Sequence, residues 1–254
     1  MFRHRIVDRG KAMKAVILAG GPGTRLRPYT SVLPKPLMPI GSKPVLELLL
    51  KWVRRNNVTD VYVTTGYLGH LIQSFCGDGR QWGLKISYTR ETEPLGTIGP
   101  LDLIRDELDC TFLVLNGDVL TDLRLSDFLM CHLKHGGALT VATVSRSTRT
   151  EFGVIEDVNG VVTQFKEKPT YVNAVSMGAY LMNPEVLRFV PSGIPFGFDD
   201  LIFGMMQAGV PVHTFRHHGI WLDVGRVEDF QRAQQIDWEE NASDSRVPQN
   251  LLLV

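Results

Sequence analysis

The segment AVILAGGPGTRLRP, residues 15–28, runs from an apolar stretch into three glycines in four positions and then into Arg25 and Arg27. Neither a strand nor a core uses that much glycine beside two guanidinium groups. The backbone N–H groups of Gly20, Gly21, Gly23 and Thr24, with the side chains of Arg25 and Lys35, suit the wrapping of phosphate. A P-loop needs Lys and Ser/Thr directly after its last glycine, but Gly23 is followed by Thr24 and Arg25. A dinucleotide fingerprint needs a third glycine where Leu26 stands, and an acidic residue about 20 positions further on. The first one downstream is Glu47, so a dehydrogenase is disfavoured. Asp118 follows the apolar LVLNG, which puts its carboxylate at the C-terminal edge of a strand, where open α/β sheets bind ligands. Asp223 in WLDVG offers a second carboxylate.

With LPKPLMPIGSKP after it, the glycine segment resembles the signature of the sugar-1-phosphate nucleotidylyltransferases, or nucleoside-diphosphate-sugar pyrophosphorylases. The resemblance extends from about Lys14 to Gln234. EPLGTIGPL, LVLNGDVL, FGVIEDVNGVVTQFKEKP and IWLDVGRVEDF follow in the family's order. It implies an α/β, Rossmann-like fold: a mostly parallel mixed sheet covered by helices on both faces, with a β-rich sugar-binding part in the second half. It also implies transfer of a nucleotidyl group from a nucleoside triphosphate to a sugar 1-phosphate, giving an NDP-sugar and pyrophosphate by Mg²⁺-assisted in-line displacement. Such a reaction crowds like charges at one phosphorus, so the protein must neutralise the triphosphate and aim the incoming phosphate.

By resemblance, Ala19, Gly20, Gly21, Gly23, Thr24 and Gly96 bind the nucleotide, and Arg25, Lys35 and Asp118 are catalytic. Asp118 and Asp223 are the expected Mg²⁺ ligands, which suits an ion held by one or two carboxylates plus substrate phosphates. Gly153, Glu167, Lys168 and Ser176 fall on the sugar phosphate side. Ser176-Met177-Gly178 stands where many relatives carry Asn-Ala-Gly, and Pro36 follows Lys35 where the thymidylyl branch has glutamine. With EPLGTIGP, this leans towards the mannose-1-phosphate guanylyltransferase-like branch and GTP. Thymidylyl-, uridylyl- and cytidylyltransferases of the family, and an inactive NDP-sugar-binding regulatory homologue, stay as alternatives. The presence of Arg25, Lys35, Asp118, Lys168 and Asp223 together favours an enzyme.

The elements that must carry these residues alternate. Strands are expected at Lys14–Ala19, Asp60–Thr64, Leu84–Tyr88 and Thr111–Leu115. Helices are expected at Pro44–Arg55, Leu68–Phe75, Thr97–Asp106 and Leu125–His135. After Gly136 the chain turns β-rich, with a hairpin signal at Asn159-Gly160. A helix near Asp199–Gln207, a strand at Val212–Phe215 and a helix near Val227–Trp238 close the series. We read residues 1–12 as an N-terminal extension, 13–238 as the nucleotidyltransferase domain and 239–254 as a polar tail whose LLLV end could dock on a surface.

Lys and Arg number 27 and so do Asp and Glu, which leaves no global basic field for nucleic acid. Cys76, Cys110 and Cys131 form no CxxC pair, which suits a reducing cytoplasm. No apolar run nears the ~20 residues that cross a bilayer, so no membrane partner is expected. His213, His217 and His218 hint at a metal site, but packed or surface histidines are the stronger expectation. Homo-oligomerisation is left open.

Overall fold

Alternate residues of β1 (Lys14–Ala19) serve two different cores, which is why the run is apolar throughout. The computed structural model describes residues 12–238 of the chain. Ala15, Ile17 and Ala19 face one core, Val16 and Leu18 the other. Truncating a side chain such as Ile17, fully buried between sheet and helices, is expected to cost about 2–5 kcal/mol.

The chain continues through a short ladder, β2 (Pro39–Ile40) with β3 (Lys43–Pro44), into helix α1 (Val45–Arg55). Pro44 precedes the helix, whose Leu46, Leu49, Leu50 and Val53 recur at helical spacing and bury one stripe. Then come β4 (Asp60–Thr65), α2 (Gly69–Cys76), β5 (Lys85–Arg90), β6 (Phe112–Asn116), β7 (Val119–Thr121) and α3 (Leu125–His135). The β-rich part holds β8 (Leu139–Arg149), β9 (Val154–Val158), β10 (Val161–Lys166) and β11 (Thr170–Met182). Helix α4 (Phe198–Gln207), β12 (Val212–His217), β13 (Trp221–Asp223) and α5 (Val227–Ala233) finish the described chain.

Seven strands form the central sheet in the order β12-β8-β11-β6-β1-β4-β5. All neighbours are parallel except β11, which runs antiparallel to both β6 and β8. The expected mixed, mostly parallel sheet with helices on both faces is therefore present. Asn159 and Gly160 both take positive φ (53° and 80°), and β9 pairs with β10 across them as the hairpin signal requires.

Two expected elements differ. Residues 97–106 do not form an α-helix: Gly99–Glu107 is a 3₁₀ segment broken at Ile104 (φ −128°). At its start the backbone is tied to Phe196 O through Ile98 N and Gly99 N, and Ile104 leaves the helical region, so the segment does not continue as one α-helix. Helix α5 ends at Ala233 rather than Trp238, with Trp238 folded back against the small core of Ile40, Val45 and Leu222. The expected extension and tail fall outside the described residues, apart from Ala12. Among the described residues no helix is long and apolar enough to cross a membrane.

Candidate active site

Sheet order places the site. The chain leaves β1 towards β4 on one side, while β6 lies on the other, so the C-terminal ends of β1 and β6 open a crevice at the point where strand order reverses. Gly117 N donates to Leu18 O at 2.9 Å and joins these two ends. A cleft of about 670 Å³ lies there, lined by Ala19, Gly20, Gly21, Gly23, Lys35, Gly96 and Asp118 among others. Seven of the residues singled out in the sequence thus meet in one place, contributed by three separate chain segments.

The glycine loop is shaped by tertiary contact. A methyl group at Gly20 would run into the Glu91 carboxylate, and Gly23 holds a left-handed conformation (φ 62°) as it leads into a 3₁₀ turn at Thr24–Leu26. Thr30 Oγ1 donates to Gly23 O at 2.8 Å and anchors the loop. Thr24 and Arg25 are exposed at its outer rim. Gly96 lines the cleft, and its own packing already requires a glycine. With φ 78°, a Cβ there would stand 2.7 Å from Phe196 O.

The two carboxylates meet through a small ladder. β13 pairs antiparallel with β7, setting Asp223 opposite Val119, and Val224 N donates to Asp118 O at 2.9 Å. Lys35 Nζ lies 2.5 Å from Asp118 Oδ2, with both side chains 18% exposed. Gly225 N donates to Asp223 Oδ1 at 2.8 Å, and a methyl group at Gly225 would collide with Lys35 Nζ. The Asp223 carboxyl is pushed up from the ordinary aspartate range, first by burial and then by the Asp118 charge; Lys35 and Arg25 act against that rise. Lys35, Asp118 and Asp223 are therefore one electrostatic cluster, with the exposed Arg25 near enough to act on Asp223. Asp118 lines the cleft and Asp223 stands next to it across the β7–β13 ladder; two neighbouring carboxylates of this kind fit a hard divalent cation.

The residues expected on the sugar phosphate side sit apart from this cleft lining. Gly153 and Glu167 are neighbours at the base of the β9–β10 hairpin, where a Cβ on Gly153 would lie 3.2 Å from Glu167 Oε2. Lys168 is exposed and takes φ 43°, a left-handed backbone that costs a lysine about 1–3 kcal/mol. Ser176 is exposed, and its Oγ donates to Tyr180 Oη at 3.1 Å and accepts from Gly178 N at 3.3 Å. The histidines form no metal cluster. His213 stacks on His135 with centroids 4.5 Å apart, and His217 Nε2 meets Asp122 Oδ1 at 2.8 Å. Among the described residues no group of three or more His, Cys, Asp or Glu is arranged to hold a metal.

Glu91 was not singled out from the sequence. Its Oε2 accepts from Leu95 N at 2.9 Å, its other oxygen abuts Gly20, and burial pushes its carboxyl up. Its signal was the strand end that marked Asp118. Because the third strand was expected to stop at Tyr88 and in fact runs to Arg90, Glu91 went unnoticed as an edge residue.

The glycine loop and Asp118 thus sit at the switch point of an open α/β sheet, the place where folds of this kind bind ligands. The chain belongs to the nucleotidyl transferase family, which it matches over residues 14–240. It is 35% identical over 241 residues to a UTP–glucose-1-phosphate uridylyltransferase of Synechocystis sp., covering 87% of this chain and 62% of that protein. It is 37% identical over 226 residues to the mannose-1-phosphate guanylyltransferase catalytic subunit beta of Dictyostelium discoideum, covering 86% of this chain and 62% of that one. The chain thus spans under two thirds of the length of these curated relatives. Among solved structures, HddC from Yersinia pseudotuberculosis superposes with a TM-score of 0.71 at 25% identity, over 88% of this chain and 98% of that one. A presumed glucose-1-phosphate thymidylyltransferase from Bacillus anthracis also gives 0.71 at 25% identity, over 94% and 99%.

Proposed function

We propose that the protein transfers a nucleotidyl group from a nucleoside triphosphate, GTP by preference, to a sugar 1-phosphate, releasing pyrophosphate. The observation that carries this reading is the cluster of Lys35, Asp118 and Asp223 beside the glycine loop, at the open end of β1 and β6. In it, N–H groups from Gly20 to Thr24 cradle the triphosphate, while Arg25 and Lys35 supply positive charge as pyrophosphate departs. Asp118 and Asp223 would hold Mg²⁺, which supplies charge neutralisation across the phosphates. Glu167 and Lys168 bind the sugar phosphate from the hairpin base, and the left-handed backbone of Lys168 fits a position held for function. The chemical unit is residues 13–238. Cys76, Cys110 and Cys131 are not joined in disulfides, which agrees with a cytoplasmic location.

Guanine preference is supported by Glu91 as well as by the relatives. Its carboxylate on the cleft wall is an acceptor suited to the adjacent N1–H and N2–H₂ donors of guanine, which thymine and cytosine do not present together. A lost contact of this kind costs about 1–3 kcal/mol, or roughly ten- to a hundredfold. A donor panel of GTP, dTTP, UTP and CTP, each with its best sugar 1-phosphate, tests this. GTP should lead and Glu91→Gln should shrink its lead. Turnover with another donor tenfold above GTP would overturn the guanylyl assignment.

A further inference from the structure

Asp223 has a support that the reaction scheme does not use. Asp229, on the first turn of α5, is 1% exposed, and its Oδ2 accepts from the backbone N–H of Asp223 at 3.1 Å. The same oxygen is paired with Arg146 Nη2, a guanidinium that reaches in from β8. That guanidinium lies over the Trp221 ring, 4.9 Å from its centroid, and the Trp221 indole N–H donates to Met177 O on β11 at 2.8 Å. Arg146 itself stands opposite Asn173 in the β8–β11 ladder, whose outer ends lead to Glu167 and Lys168.

A buried carboxylate is retained only where something fixes its charge, and here Arg146 does so. The strand carrying Asp223 is thereby pinned from two sides, by α5 through Asp229 and by the β8–β11 pair through Arg146 and Trp221. We propose that Asp229 is the positioning residue for Asp223, and that Arg146 and Trp221 tie this carboxylate to the sugar-side arm. The inference rests on the reading of Asp118 and Asp223 as a divalent-cation site. Asp229 does not touch substrate or metal in this account; it sets where the Asp223 backbone sits.

The test measures Mn²⁺ bound to the protein with GTP present, by the change in its EPR spectrum and water-proton relaxation relative to a protein-free Mn²⁺–GTP blank, alongside thermal melting and steady-state kinetics. Wild type should bind and Asp118→Asn should not; if wild type takes up no Mn²⁺, the metal reading fails and this inference falls with it. With that control in place, Asp229→Ala should loosen Mn²⁺ by about 10–100-fold, as loss of an outer-shell partner does. Asp229→Asn keeps an acceptor for Asp223 N–H and should restore most of that affinity. Should Asp229→Ala not fold, Arg146→Met carries the same test. It should weaken Mn²⁺ binding and raise KM for sugar 1-phosphate, because it cuts the link to the arm. Folded Asp229→Ala or Arg146→Met protein with a lower melting temperature but wild-type Mn²⁺ affinity would show a merely structural role and overturn the inference, leaving the metal reading intact.

Discussion

Lys35 Nζ lies 2.5 Å from Asp118 Oδ2, so the proposed phosphate-binding cation and the proposed metal-binding carboxylate share one contact. Each screens the other, and both must exchange partners when a triphosphate and its metal bind. Their contributions should therefore be non-additive. Asp118→Asn is expected to lower turnover by at least about a hundredfold while keeping the fold, since isosteric loss of a charge-stabilising group costs on this scale. Lys35→Met should cost a similar factor, and the double variant should be far less impaired than the product of the two. Steady-state rates for the four proteins check this; multiplicative losses would mean the pair acts independently.

Arg25 and Lys168 should separate kinetically. Arg25 is near enough to act on Asp223, where charge builds as pyrophosphate leaves, so Arg25→Ala should chiefly lower kcat. Lys168 lies on the hairpin side and meets a charge already present in the ground state, so Lys168→Ala should chiefly raise KM for the sugar phosphate. The reverse pattern would exchange the two phosphate sites.

Acid stability should be set partly by histidines outside the cleft. His132 is buried, with its ring nitrogens on Thr140 Oγ1 and Asn183 Oδ1, and burial pushes its pKa down; burial and His135 do the same to His213. A folded-state pKa below the unfolded value means the unfolded chain takes up the proton first. The stabilisation is thus complete above the unfolded value of about 6.5 and is lost as pH falls below it, at up to about 1.4 kcal/mol per pH unit for the buried His132 and less for the solvent-screened His213. For a domain of this size that is about 2–4 °C per kcal/mol. Melting curves from pH 7.5 to pH 5 should show the fall, and His132→Gln should flatten it. A pH-independent melting temperature over that range would contradict the assignment.

Much of this arrangement was legible before the fold. β1 and α3 have the bounds that apolar periodicity assigned, and the Asn159-Gly160 hairpin follows from turn chemistry. Asp118 was readable because a strand end at a sheet's open edge is a local feature. The meeting of Asp118 with Asp223 was not, because it depends on β7 pairing with β13 about a hundred residues later. Asp229 was invisible for a related reason: its burial is created by Arg146 from β8, and nothing local marks a surface-like VEDF turn as interior. Gly96 carries a second constraint that the sequence did not show, the close approach of Phe196 O.

The central claim is that this cleft joins a nucleotide to a sugar phosphate. The most direct measurement is ³¹P NMR of wild-type protein incubated with GTP, mannose 1-phosphate or glucose 1-phosphate, and Mg²⁺, with Asp118→Asn and EDTA as controls. The account predicts coupled diphosphate doublets of an NDP-sugar growing in step with pyrophosphate, and neither in the controls. Absence of both products with every pairing of GTP, dTTP, UTP or CTP with these sugars, from folded protein that binds nucleotide, would contradict it.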